Sequence, residues 1–148
     1  MFPCHKKKHG YGLAPFRGRY YIPRMMQFCV LGSGSGGNAT IVRAGETVLL
    51  VDAGFSAARL RDKMKSAGVE PDELDAILLT HEHKDHVGGL DDVRAFNYVL
   101  NRPMDIYALE RVLGHLKVEF SYVFSEKPYP GVPQMALHPI GPEPFMVK

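Results

Sequence analysis

The sequence predicts an α/β domain built on a mixed β-sheet, and three observations point there. From Gln27 onward, short β-branched and apolar runs alternate with segments of helical periodicity. An opening group of strands precedes that alternation, which adds antiparallel pairing to an otherwise parallel pattern. The chain is also of one-domain size: 148 residues, 45% hydrophobic and 23% charged, a composition that excludes a disordered polymer.

Each element follows from local chemistry. Phe28 to Leu31 is a short apolar run, read as a first strand with Cys29 buried in it. The Gly32 to Asn38 stretch, with four glycines, is a loop. Its backbone N–H groups are arranged to approach a phosphate or simply to turn the chain, and the structural role is favoured. Ala39 to Arg43 and Thr47 to Val51 are β-branched segments separated by Ala44-Gly45-Glu46, which reads as a hairpin.

Ser56 is placed to cap a helix carrying Ala57, Leu60 and Met64 at helical spacing, with Gly68 stopping it. After a turn at Pro71 to Leu74, Ala76-Ile-Leu-Leu79 is a continuous apolar run of the kind covered on both faces. A helix is predicted over Leu90 to Leu100, a strand over Asp105 to Ala108 and a helix over Leu109 to Lys117. A proline-rich loop at Pro128 to Pro133 and a last strand at Met135 to Ile140 follow.

Charge divides the chain. Residues 1–24 hold six Lys/Arg and no acid, whereas twelve basic face sixteen acidic residues from Met25 onward. Residues 1–24 show no periodicity and read as a basic, disordered extension or a misplaced start, and residues 25–148 as the domain. A nucleic-acid role for that tail is the lesser expectation. No apolar run approaches the roughly 20 residues that span a bilayer. Cys4 and Cys29 form neither a zinc-like pair nor a disulfide framework, so the chain reads as cytoplasmic.

Thr80-His-Glu-His-Lys-Asp-His86 carries the chemistry. It leaves the end of an apolar strand, where α/β sheets place their sites. In extended backbone, residues two apart project to one side, so His81 and His83 can share one metal ion. A turn after His83 would swing Asp85 and His86 toward a second position. Imidazole and carboxylate suit Zn²⁺, with Mn²⁺ or Fe as alternatives. Two such ions roughly 3.5–4 Å apart would hold a bridging hydroxide for attack on a phosphodiester. Glu82 and Lys84 alternate away from these ligands.

The motif resembles the signature of the metallo-β-lactamase superfamily. Leu31-Gly-Ser-Gly-Ser-Gly-Gly-Asn-Ala-Thr40 and Val51-Asp-Ala-Gly-Phe55 are similar to the opening strands of small bacterial members, some of them nucleases. Thr80 to Tyr98, and Phe120-Ser-Tyr-Val-Phe124 through Tyr129-Pro-Gly-Val-Pro133, resemble the branch containing phosphoribosyl cyclic phosphate phosphodiesterases. The resemblance implies an αββα sandwich with a mixed sheet, of which this chain holds the N-terminal half. It also implies a first metal on His81 and His83, and a second on Asp85 and His86 with Asp85 catalytic. Asp52 would orient the site from behind.

The family completes its site with later His and Asp ligands for which this chain has no matching position. His115 and His138 read as ordinary helix and strand residues, Cys4, His5 and His9 do not form a metal site, and Val147-Lys148 reads as a cut in mid-fold. The leading expectation is a metal-dependent phosphodiesterase acting on a small cyclic or nucleotide-like diester. A metal-dependent nuclease is the alternative, which the acidic body disfavours, and a silent fragment or interaction module is the third. No membrane partner is expected. An unfinished sheet edge makes self-association an expectation.

Overall fold

The opening meander forms where β-branched residues alternate with small ones. In the computed structural model, which describes residues 26–147, β1 (Met26–Gly32) pairs antiparallel with β2 (Ala39–Ala44), and β2 with β3 (Thr47–Val51). The extension expected at 1–24, with Cys4, His5 and His9, lies outside the described residues. Ala44 pairs with Thr47, so the β2–β3 hairpin closes over two residues rather than the three expected.

From β3 onward the pairing is parallel. β4 (Ala76–Leu78), β5 (Met104–Leu109) and β6 (Met135–Ile140) add in sequence, giving a six-stranded mixed sheet in the order β1 to β6. Each parallel step crosses over through helix: α1 (Ala57–Ser66), then the short α2 (Lys84–Val87) with α3 (Arg94–Leu100), then α4 (Glu110–Glu119). All three crossovers step the same way across the sheet, and right-handed connections then put their helices on one face.

That face is the core. A ladder of neighbours runs Ile41, Leu50, Ile77, Ile106 and Leu137 across five strands. Its first four members are buried against Leu60 and Met64 of α1, Phe96 of α3, and Val112, Leu113 and Leu116 of α4. Burial of each such side chain contributes roughly 1.5–3 kcal/mol. On the opposite face Val42, Leu49, Val51 and Leu78 are only half-buried. Among the described residues the well-covered positions there are Ala76, beside Leu49, and Tyr107, with Phe145 stacked on it at 5.6 Å.

Some expectations change. Cys29 is half-buried rather than buried, because β1 is an edge strand whose Phe28 and Val30 are more than half exposed. The Leu90–Leu100 helix starts as a tighter 3₁₀ turn over Leu90–Val93, anchored where Gly89 N–H donates to Ala53 O. Ser56 occupies the N-cap position of α1 without a side-chain hydrogen bond, and Asp92 accepts the Ala57 N–H in its place. Gly68 does end α1: it has φ 75°, its N–H donates to Lys65 O and the Val69 N–H to Met64 O. Among the described residues no helix is long and apolar enough to cross a membrane.

Candidate metal centre

β4 leads to Thr80 at the sheet's C-terminal edge, where the chain bends, and His83, in extended conformation, precedes the turn of α2. The turn is fixed by local bonds: His86 and Val87 N–H both donate to His83 O, at 2.8 and 3.0 Å. This folding brings the three imidazoles together. The His81 and His83 rings lie 4.7 Å apart, centroid to centroid, and His81 and His86 3.8 Å. The contact between His81 and His83 is the one the alternation predicts, whereas the turn brings His86 closer to His81 than His83 is.

Backbone hydrogen bonds stitch the motif to two earlier turns. Ala53 N–H donates to His86 O and Asn38 N–H to Asp85 O, each at 2.7 Å, while Gly54 N–H reaches Asn38 O at 3.0 Å. Only glycine permits this approach. A Cβ on Gly54 would stand 1.8 Å from Asp85 O, and one on Gly89 1.9 Å from Phe55 O.

Asp52 is the buried polar residue beneath the motif, and it holds a left-handed backbone with φ 61°. Asp tolerates that region better than most residues. The conformation aims its carboxylate at the site. Oδ1 accepts the Thr80 N–H at 2.9 Å, both oxygens lie within 3.0 Å of Thr80 Oγ1, and Oδ2 lies 2.8 Å from His86 Nδ1. A carboxylate only accepts, so the contact places a ring N–H at Nδ1, and in the neutral imidazole Nε2 is then the nitrogen with the lone pair.

Asp85 Oδ2 lies 3.4 Å from that Nε2. Two ligand atoms about 2.1 Å from one tetrahedral ion stand about 3.4 Å apart. The donor chemistry and this spacing both fit a divalent ion, and a buried carboxylate behind a histidine is the usual outer support of such a ligand. Among the described residues, no group of three or more His, Cys, Asp or Glu side chains converges as an ion site.

Glu82 and Lys84 point away from the imidazoles, as their alternation predicts, and both pair with α4. Glu82 meets Arg111, and Lys84 meets Glu119. Hydrogen bonding to its own backbone, opposed by desolvation and aided by Arg111, holds the Glu82 carboxyl below its ordinary range. His138 is bonded to Asp105 at 2.6 Å and stacks on Tyr107 at 4.7 Å, away from the motif in β6.

The residue that sequence reasoning missed is Asn38. Its Nδ2 lies 2.8 Å from Asp85 Oδ2 and 3.1 Å from His86 Nε2. The only signal in the sequence was its place at the end of the glycine-rich loop.

Fold and motif together define an α/β domain with a histidine–carboxylate cluster at the C-terminal end of a parallel sheet. The chain belongs to the metallo-beta-lactamase superfamily, whose profile matches residues 32–136. An exodeoxyribonuclease WalJ of Streptococcus pneumoniae is 40% identical over 85 residues, 57% of this chain and 30% of that protein. An octanoyltransferase of Porphyromonas gingivalis is 46% identical over 88 residues, 59% of this chain but only 17% of that protein. Among solved structures, a diphosphatase of the PhnP family aligns with a TM-score of 0.59 and 25% identity, over 80% of this chain and 53% of its own. The chain thus spans about half of that structure and less than a third of the two sequence relatives.

Proposed function

We propose that this domain is the metal-binding part of a phosphodiester hydrolase, with His81 and His83 holding one divalent ion and Asp85 and His86 a second. The observation that carries the reading is the Asp52–His86–Asp85 arrangement: a buried carboxylate fixes the imidazole so that Nε2 and Asp85 Oδ2 stand 3.4 Å apart. Zn²⁺, or Mn²⁺ or Fe in its place, would lower the pKa of a water toward neutrality and neutralise charge on the phosphoryl oxygens.

The chain's own residues supply position. Asp52 holds the His86 proton at Nδ1 and Thr80 under the motif, which leaves Nε2 facing Asp85. The Glu82–Arg111 and Lys84–Glu119 pairs tie the motif to α4. His83 is exposed, and so are residues 33–36 of the glycine-rich loop, leaving the motif open to a substrate.

A small cyclic or nucleotide-like diester is the first substrate class, and the likeness to the PhnP-family diphosphatase supports phosphoryl chemistry in general. Single-stranded nucleic acid is the second, favoured by the 40% identity to an exodeoxyribonuclease. The acidic balance from Met25 onward weighs against long phosphate contacts. The octanoyltransferase name concerns a protein of which only 17% is matched, and no acyl-transfer role is drawn from it.

The test is hydrolysis of bis(p-nitrophenyl) phosphate and of labelled single-stranded DNA by the Zn²⁺- or Mn²⁺-loaded chain. His83→Ala should lower the metal-dependent rate by more than roughly 100-fold, exceeding the loss typical of an outer support. Equal rates for variant and parent would refute metal-dependent catalysis at this motif.

A further inference from the structure

We infer that Asn38 is a positioning residue for the Asp85–His86 half of the site, its side-chain amide setting the spacing of the two donor atoms; this rests on the metal-binding reading above. The amide orientation is fixed from outside the pair, because Gly34 N–H donates to Asn38 Oδ1 at 2.9 Å. Nδ2 is thereby turned toward the motif. Its two hydrogens meet the two shortest acceptors, Asp85 Oδ2 at 2.8 Å and the unprotonated His86 Nε2 at 3.1 Å. Gly34 O and Asp85 O flank it at 3.2 and 3.3 Å. The flipped amide would set its oxygen against a carboxylate and a nitrogen lone pair, a repulsive arrangement.

The arrangement joins residues far apart in sequence. Asn38 lies 47 residues before Asp85, yet its own N–H is bonded to Asp85 O at 2.7 Å. The backbone bond fixes where the side chain starts, and the side chain then reaches both donors. Without the amide, Asp85 would lose the group that draws its Oδ2 toward His86, and two acceptor atoms 3.4 Å apart would repel one another.

A consequence separates the two donors. An imidazole nitrogen has one lone pair in its ring plane, so His86 Nε2 bonds either to the Asn38 amide or to an ion. A carboxylate oxygen has more than one acceptor direction, so Asp85 can keep the amide while binding an ion. Asn38 therefore gives up one of its two bonds on ion binding and retains the other.

The experiment is a ZnCl₂ titration of the ¹⁵N-labelled full chain, followed by NMR at the histidine ring nitrogens and the Asn38 side-chain amide, beside a calorimetric titration of Asn38→Ala. The expected result is that the His86 Nε2 and Asn38 amide signals shift together, and that Asn38→Ala binds the Asp85–His86 equivalent about tenfold more weakly, with the His81–His83 equivalent unchanged. The parent spectra need no variant and decide the question even if Asn38→Ala does not fold. An Asn38 amide that stays fixed while His86 Nε2 shifts would overturn this inference and leave the metal reading standing. Histidine nitrogens that do not respond to Zn²⁺ at all would overturn both.

Discussion

Asp52 Oδ2 lies 2.8 Å from His86 Nδ1, and through that contact the turn after β3 decides which nitrogen of the His86 ring is left available. The carboxylate is buried and held at φ 61°, so it has little freedom to aim elsewhere. The same group carries Thr80, at the exit of β4. One side chain thus connects the second hairpin strand, the parallel strand and the motif.

Asp52→Asn tests that connection. Asn tolerates a left-handed backbone and can still accept the Thr80 N–H, so the fold should persist. The charge that favours Nδ1–H on His86 is lost. Affinity for Zn²⁺, measured by competition with a chelating dye, should fall roughly 10- to 100-fold. An unchanged affinity would show that Asp52 does not support the site.

Two glycines should respond in opposite directions to alanine. At Gly54 the new Cβ would stand 1.8 Å from the backbone oxygen of Asp85, and overpacking of this kind costs about 1–3 kcal/mol or more. Gly114, inside α4, has open space around it, and alanine there should stabilise by about 0.5–1 kcal/mol. Urea midpoints report both signs. A Gly54→Ala chain as stable as the parent would mean the motif does not lie against the Asp52 turn.

Tyr122 predicts an alkaline effect. Burial, joined by its hydrogen bond to Asp91 and the charges of Asp91 and Glu119, pushes its pKa up to about 12 from the ordinary 10.0. The folded chain therefore holds the proton more tightly than the unfolded one. The associated stability is fully present below pH 10 and is lost as pH rises from about 10 to 12. In Tyr122→Phe the denaturation midpoint should fall less steeply across that window. Identical slopes would contradict the shift.

The parts of the fold that were legible are those written in contiguous residues. The apolar run at Met135 to Ile140 predicts β6 with the bounds the structure shows, and Ala76 to Leu79 overshoots β4 by one residue. His81, His83, Asp85 and His86 lie within six positions, and strand alternation followed by one helical turn is enough to gather the rings. What stayed hidden depends on partners distant in sequence. Asn38 meets the motif across 47 residues, Asp92 takes the capping role expected of Ser56 across 35, and the exposure of β1 depends on its place at the sheet edge. Periodicity carries no information about such pairings, because each is set by tertiary proximity.

Metal binding by the His81–His86 motif is tested most directly by zinc K-edge X-ray absorption on the Zn²⁺-loaded chain, beside His81→Ala/His83→Ala. Nitrogen and oxygen ligands at about 2.0–2.2 Å with imidazole outer-shell scattering are expected, with part of that scattering lost in the double variant. A spectrum without imidazole scattering, or one identical in parent and variant, would contradict metal binding there.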